Sequence, residues 1–270
     1  MKGKAAFWKL TATKLHDPWE PRFKSAYSAV MKELQPEVIR GDTPFDLQKW
    51  QVKTVAAMHP LYSKLFNEAG RFLISSSKGV REGIVTKAFG QRLPAQGTAV
   101  ELVSFLSRRI SMTIETTYNA IRAIFEESLR DNLTAEQVLD LIYEEFADVF
   151  GLRGDDIART EVAGVIANAN AYLLQQTVDM SEWATAQDDL VRPTHVVYGE
   201  AAPKPVGFNY AKLVGEGYLL RWPHDPECEE AGEIINCRCI PIPAGEFEGS
   251  EDELNALLGD TGEPAEVIGG

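Results

Sequence analysis

Residues 155–178 read DDIARTEVAGVIANANAYLLQQTV, and the character of the sequence changes where this stretch ends. Apolar and small residues repeat along it at helical spacing, at Ala158, Val162, Val165, Ala169 and Leu173. Alanine is a strong helix former, and its small side chain lets a neighbouring element pack closely. We therefore predict a closely packed helix from about residue 155 to 178, with helices before it and a different kind of structure after it.

The chain before this stretch predicts further helices. The strongest signal runs from Thr98 to Asp131, where one stripe at helical spacing predicts a long central helix of about 50 Å. Most such stripes face a core, so we expect packing within a bundle, with contact to a partner subunit as the alternative. The stripe consists of Val103, Leu106, Ile110, Ile114, Thr117, Ile121, Ile124 and Leu129.

Several residues predict where helices begin and end. Thr134 and Gln137 match a capping box, which predicts a helix that begins there and ends before a left-handed Gly151. Pro36 is expected to end one helix, and Pro60 to kink or end another, because proline removes a backbone donor.

The chain after residue 178 predicts a small module with little regular structure. Residues 181–187, 218–222 and 237–242 read as short strands, and residues 193–198 as one helical turn. The predicted fold is a mainly α N-terminal body with a long central helix, followed by a small loop-rich α+β module. We assign residues 1–150 to the body, 151–245 to the module, and 246–270 to an acidic tail expected to be flexible.

The net charge of −13 is unevenly distributed. Residues 224–270 hold 13 acidic residues and one arginine, which leaves a nearly neutral body. The one basic cluster is expected to be a solvated N-terminal arm rather than a DNA-binding surface; it comprises Lys2, Lys4, Lys9, Lys14, Arg22 and Lys24. Neither a signal peptide nor a membrane span is expected, because no apolar run is long enough.

The three cysteines all lie in the module. A Cys237-x-Cys239 pair on a strand would place both sulfur atoms on one face, and Cys228 with His195 or His224 would complete a tetrahedral zinc site. The alternative is that the cysteines are buried small apolar residues. The metal hypothesis therefore names His195, Cys228, Cys237 and Cys239.

Other polar residues of the module are expected to pair. Asp188 and Asp189 are suited to salt bridges with Arg192 and Arg238, which would hold a loop-rich module together. His195 is interpreted as a structural histidine, with a general base as the alternative. Walker, dinucleotide-binding, His-Glu-x-x-His and Gly-x-Ser-x-Gly motifs are absent from the sequence, so no catalytic residues are predicted.

The order of these motifs resembles the phage head-morphogenesis, or Mu F-like minor head protein, family. The resemblance covers residues 155–243 and rests on an Arg-Thr-Glu helix, a tryptophan strand, an Asp-x-x-x-Arg-x-x-His segment and a final Asn-Cys-Arg-Cys. Its positions here are Arg159, Thr160, Glu161, Trp183, Asp188, Arg192, His195, Gly199, Asn236, Cys237, Arg238 and Cys239. Many members have Cys-x-x-Cys where this chain has Arg192 and His195, which favours a hydrogen-bonded module over a zinc site.

The resemblance implies a structural protein of the virion, without enzymatic activity, assembled in the host cytoplasm. Such proteins lie in the head interior or at the portal vertex, contact the portal and head proteins, form oligomers on the portal ring, and assist assembly and DNA packaging or ejection. Two alternatives stay open: a metal-dependent hydrolase or nuclease that uses the Cys/His cluster, and an ejection protein that contacts packaged DNA through the basic N-terminus.

Overall fold

The computed structural model describes residues 2–40, 46–87 and 95–245, and its N-terminal part is helical. A π-helical turn, Ala12–His16, joins α1 to α2. The helices of this part are α1 (Lys2–Thr11), α2 (Asp17–Ile39), α3 (Leu47–Ser76), α4 (Lys78–Lys87), α5 (Ala95–Asp131), α6 (Ala135–Phe150) and α7 (Leu152–Thr177). This confirms a mainly α body with a long central helix.

Helix α7, which contains the opening stretch, lies at the centre of the packing. It contacts α2, α3, α4, α6 and the last strand of the module. Val162, Val165 and Ile166 are fully buried, and the alanines of the same helix, Ala158, Ala163, Ala167, Ala169 and Ala171, are buried as well. Because α7 packs against elements on several sides, its sequence carries small residues around most of its circumference rather than one apolar stripe.

The predicted helix end at Pro36 is wrong, and Pro60 does not end its helix either. Helix α2 continues through Pro36, and α3 continues through Pro60. In both helices the buried face runs past the proline, with Val38 beyond Pro36 and Tyr62 beyond Pro60. Apolar burial on both sides offsets the one backbone hydrogen bond that each proline removes.

The basic N-terminus is not a solvated arm. Phe7, Leu10 and Leu15 are buried, so α1 and the π-helical turn belong to the core. Lys4 forms a salt bridge with Glu182 of the module. Lys4 also donates to the carbonyl oxygen of Gly199, so this part of the N-terminus contacts the module rather than solvent alone.

The capping box of Thr134 and Gln137 is confirmed and begins α6. Gly151 joins α6 to α7 but has a φ of −95°, so the predicted left-handed cap is wrong. Helix α7 begins at once after it, which leaves no space for a conventional helix ending.

In the described part of the long helix α5, the predicted stripe faces the core as far as Ile124 but does not include Leu129. Ile114, Thr117 and Ile121 are buried, whereas Leu129 is 82% exposed. Ser128 takes the buried position of the last turn. The side chains of residues 95–108, 110 and 111 lie outside the described residues, so the predictions for Val103, Leu106 and Ile110 stay predictions.

The module contains a three-stranded antiparallel sheet in the order β2-β1-β3. Its elements are β1 (Met180–Ala184), α8 (Pro193–Glu200), β2 (Lys204–Pro205), a 3₁₀ helix (Tyr210–Val214), α9 (Ala231–Ile234) and β3 (Ile240–Pro243). Residues 218–222 do not form a strand, and β3 begins only after both cysteines of the predicted strand. The expected acidic tail, 246–270, lies outside the described residues.

Ala184, Ile240 and Ile242 join the core cluster of the helical body, so the sheet packs directly on it. Within the described ranges, every helix is too short or too polar to cross a membrane.

Candidate functional site

Trp183 is the centre of the module's own small core. Its indole is 1% exposed, and its ring centroid lies 5.2 Å from that of His195, 5.0 Å from Tyr198 and 5.1 Å from Tyr210. Aromatic contacts of this geometry add to the apolar burial. Cys228, Cys237 and Cys239 belong to the same cluster. A single aromatic cluster therefore fixes α8, the 3₁₀ helix and the cysteine segment around β1.

His195, Cys237 and Cys239 form a buried trio. The Nδ1 atom of His195 lies 3.5 Å from each Sγ atom, and the three potential ligand atoms lie within 4.8 Å of one another. Cys228, the fourth predicted ligand, does not join them; its thiol lies 3.8 Å from the carbonyl oxygen of Glu230 and donates to it. The structure thus brings three of the four predicted metal ligands together.

Glu233 completes this site, although the sequence analysis did not identify it. Its Oε2 atom lies 2.9 Å from Nε2 of His195, and the Thr194 hydroxyl donates to the same carboxylate at 3.2 Å. Burial lowers the pKa of His195, but hydrogen bonds to Cys237 and Glu233 outweigh it and raise that pKa to about 9. Glu233 belongs to none of the sequence motifs. It reaches His195 only because α9 folds against α8.

The two thiols of the trio differ in their tendency to ionise. Burial opposes the thiolate of Cys237, yet hydrogen bonds from Cys239 and His195 hold its pKa well below the usual value. Burial and the hydrogen bond to Cys237 raise the pKa of Cys239 well above its usual value. Of the two thiols, Cys237 is therefore the one that ionises more readily.

The Arg-Thr-Glu motif of α7 holds the segment that carries the cysteines. The Thr160 hydroxyl accepts a hydrogen bond from the backbone N–H of Asn236 at 2.9 Å, and Arg159 donates to the Asn236 side-chain oxygen at 3.3 Å. Asn236 adopts a φ of +59°, a conformation that asparagine tolerates better than most residues. These contacts direct Cys237 and Cys239 into the module's core.

Glu161, the third motif residue, anchors a buried network between the body and the module. Tyr62 on α3 donates to one carboxylate oxygen at 2.5 Å, and Arg109 on α5 donates to the other at 3.2 Å. Arg109 also lies 3.1 Å from Nδ1 of His224, whose Nε2 lies 2.7 Å from the carbonyl oxygen of Cys237. Since arginine only donates, we assign the neutral His224 tautomer with its proton on Nε2.

The remaining motif residues close the outer side of the cysteine segment. Arg238 donates to Asp188 at 2.7 Å, and Arg192 donates to the carbonyl oxygen of Ile235. The indole N–H of Trp8, from α1, donates to the carbonyl oxygen of Arg238 at 2.6 Å. Arg159, Glu161, Arg192, Asn236 and Arg238 thus all contact residues 235–239 or the network behind them.

The space around the trio is very small. The cavity beside His195, Cys237 and Cys239 measures about 10 Å³, which is about the size of one water molecule. A larger cavity of about 680 Å³ lies between α5, α7 and residues 219–235, and apolar side chains form most of its surface. That larger cavity is lined by Cys228 and His224 but not by the trio.

No protein-family model, curated protein or solved structure matches this chain.

Proposed function

We propose that this chain is a structural minor head protein of a tailed phage, which associates with the portal and assists head assembly and DNA packaging or ejection. The observation that carries the proposal is the connection among the motif residues. Arg159 and Thr160 bind Asn236, Glu161 anchors the network to His224, and Arg238 binds Asp188. The residues that give the resemblance thus lie in one connected set of contacts around residues 235–239, as expected if the resemblance reflects a common fold.

A hydrolase is the second candidate, because Cys237, His195 and Glu233 follow the order of a nucleophile, a base and an orienting carboxylate. However, the Cys237 side chain is 2% exposed, and the adjoining cavity of about 10 Å³ cannot hold a substrate group. Burial of the thiol and the absence of space for a substrate in this described region support a structural role for the trio.

The charges of the N-terminus also favour protein contacts over DNA contacts. Lys4 is paired with Glu182, and Lys24 lies 2.7 Å from Asp155. Cations already paired with carboxylates neutralise fewer phosphates. The helical body also exposes large apolar side chains, among them Met112, Leu129, Tyr143 and Leu152, which a protein partner could cover.

The proposal is tested by co-expression with the portal and major head proteins encoded in the same genome. We expect the wild-type chain to co-purify with the portal and to enter procapsids. Thr160→Val should reduce incorporation, because it removes the acceptor that holds Asn236. Thr116→Val is the matched control, since its hydroxyl bonds only within α5, to the carbonyl oxygen of Met112.

Two results would contradict the proposal. The first is a folded wild-type chain that neither binds the portal nor enters procapsids. The second is hydrolysis of a peptide or phosphodiester substrate that Cys237→Ala abolishes while the circular dichroism spectrum stays unchanged.

A further inference from the structure

The separations within the trio match those of a metal site. A tetrahedral zinc ion with Zn–S bonds of ~2.3 Å and a Zn–N bond of ~2.0–2.1 Å separates sulfur from nitrogen by about 3.6 Å. Nδ1 of His195 lies 3.5 Å from Sγ of both Cys237 and Cys239. An ion could therefore bind without rearrangement of the backbone.

The surroundings of His195 are those of a metal-binding histidine. Such a histidine usually donates its second ring N–H to a carboxylate, which fixes the tautomer and directs the free nitrogen to the metal. Here the second ring nitrogen of His195, Nε2, donates to the carboxylate of Glu233, and the Thr194 hydroxyl donates to the same carboxylate and fixes its position. The free nitrogen, Nδ1, is the atom directed at the two thiols.

The space and the donor types select the ion and its role. Two thiolates and one imidazole favour zinc over the hard cations magnesium and calcium. The cavity of about 10 Å³ leaves room for one water molecule as a fourth ligand and none for a substrate. Two thiolates would also balance the charge of a divalent ion in this buried position.

We propose that His195, Cys237 and Cys239 bind one structural zinc ion per chain, with water as the fourth ligand. Cys237 and Cys239 bind as thiolates and His195 as neutral imidazole, so binding releases their protons to solvent. The ion joins α8, which carries His195, to the segment before β3, which carries both cysteines. Helix α8 lies outside the sheet, so the hydrogen bonds of the sheet do not connect these two elements. This inference stands apart from the proposed role in phage assembly.

The first test measures zinc in the full-length protein after expression in zinc-supplemented medium and purification without chelators. We expect one zinc per chain. Protein stripped with a chelator and titrated with Co²⁺ should develop thiolate-to-cobalt charge-transfer absorption and tetrahedral d–d bands. Zinc far below one per chain, together with no thiolate–cobalt band, would overturn the proposal.

The second test compares two cysteine variants. Cys239→Ala should lose the zinc, whereas Cys228→Ala should retain it, since Cys228 lies in the same buried cluster but outside the trio. Circular dichroism and co-purification with the portal are measured on both variants, which separates loss of metal from loss of fold or of assembly.

If Cys239→Ala misfolds, a third variant, Glu233→Gln, keeps all three ligands and should weaken zinc binding about 10- to 100-fold. Retention of zinc by a folded Cys239→Ala, unchanged zinc affinity in Glu233→Gln, or loss of zinc from a folded Cys228→Ala would refute the ligand assignment.

Discussion

Asn236 illustrates how one residue directs the chemistry of its neighbours. Its backbone is left-handed, its N–H donates to Thr160, and its side chain accepts from Arg159. Cys237 is the next residue, and both Cys237 and Cys239 are buried in the module's core. A residue that resists a positive φ at this position would disturb both cysteines, although neither would be changed.

We expect Asn236→Ala to lower the free energy of unfolding by about 1–3 kcal/mol, through backbone strain and the loss of the acceptor for Arg159. Asn236→Gly should cost less, because glycine adopts a positive φ without strain while losing the same side-chain contact. Urea denaturation of the two variants measures the difference. Equal losses would show that the backbone conformation contributes little.

Tyr210 provides a pH-dependent test of the module's core. Burial raises the pKa of its phenol to about 12. An acid whose pKa is raised by folding stabilises the protein fully below its unfolded value near 10, and this contribution is lost as the pH rises towards 12. The wild-type chain should therefore lose about 1–1.5 kcal/mol more stability than Tyr210→Phe between pH 9 and pH 11.

Tyr143→Phe is the control for this measurement, since its phenol is half exposed. It should follow the wild-type pH dependence. If Tyr210→Phe does so as well, the phenol of Tyr210 is not buried as described.

At the scale of elements, close backbone approach fixes the arrangement around α7. A Cβ atom added to Gly83 on α4 would lie 2.1 Å from the carbonyl oxygen of Thr177, at the end of α7. Such an atom would lie against rigid backbone, so the helices would have to separate. By contrast, a Cβ atom on Gly70 of α3 would lie 3.5 Å from Leu173, an ordinary contact.

We expect Gly83→Ala to destabilise the protein by about 1–3 kcal/mol through overpacking. Gly70→Ala, the matched control, should be neutral or stabilise by up to ~1 kcal/mol, because alanine favours the helix interior. Thermal and urea denaturation of both variants check the pair. A stable Gly83→Ala would mean that α4 does not pack against the end of α7 in solution.

At the scale of the whole molecule, the body and the module are joined by a common core and a buried polar network. Helix α7 and strand β3 share the main apolar cluster. The network runs from Tyr62 through Glu161 and Arg109 to His224. Removing one partner of a buried charged group leaves the other partner without a hydrogen bond. A substitution at either end of the network, Tyr62 or His224, should therefore destabilise both the body and the module.

We therefore expect body and module to unfold together. In hydrogen exchange under mild denaturant, amides of β1 and β3 should open with the same free energy as those of α3. Tyr62→Phe should lower both by about 1–3 kcal/mol, because Glu161 loses a donor, whereas Tyr143→Phe should lower neither. A separate, lower-energy opening of the sheet in the wild-type chain would contradict this coupling.

The sequence by itself determined the class of fold. Helical periodicity, the capping box at Thr134 and the alanine-rich stretch are local patterns, and each produced the expected helix or helix start. It also placed His195, Cys237 and Cys239 in one module, because a short loop-rich segment leaves few places for buried polar residues.

Only the tertiary structure decided the rest. Pro36 and Pro60 lie inside helices because distant residues cover the faces on both sides, which no local rule includes. The contacts of Glu233 with His195, and of Arg109 with Glu161 and His224, join residues 38 to 115 positions apart. Sequence spacing carries no information about such pairs, because packing of helices and loops sets their separation in space.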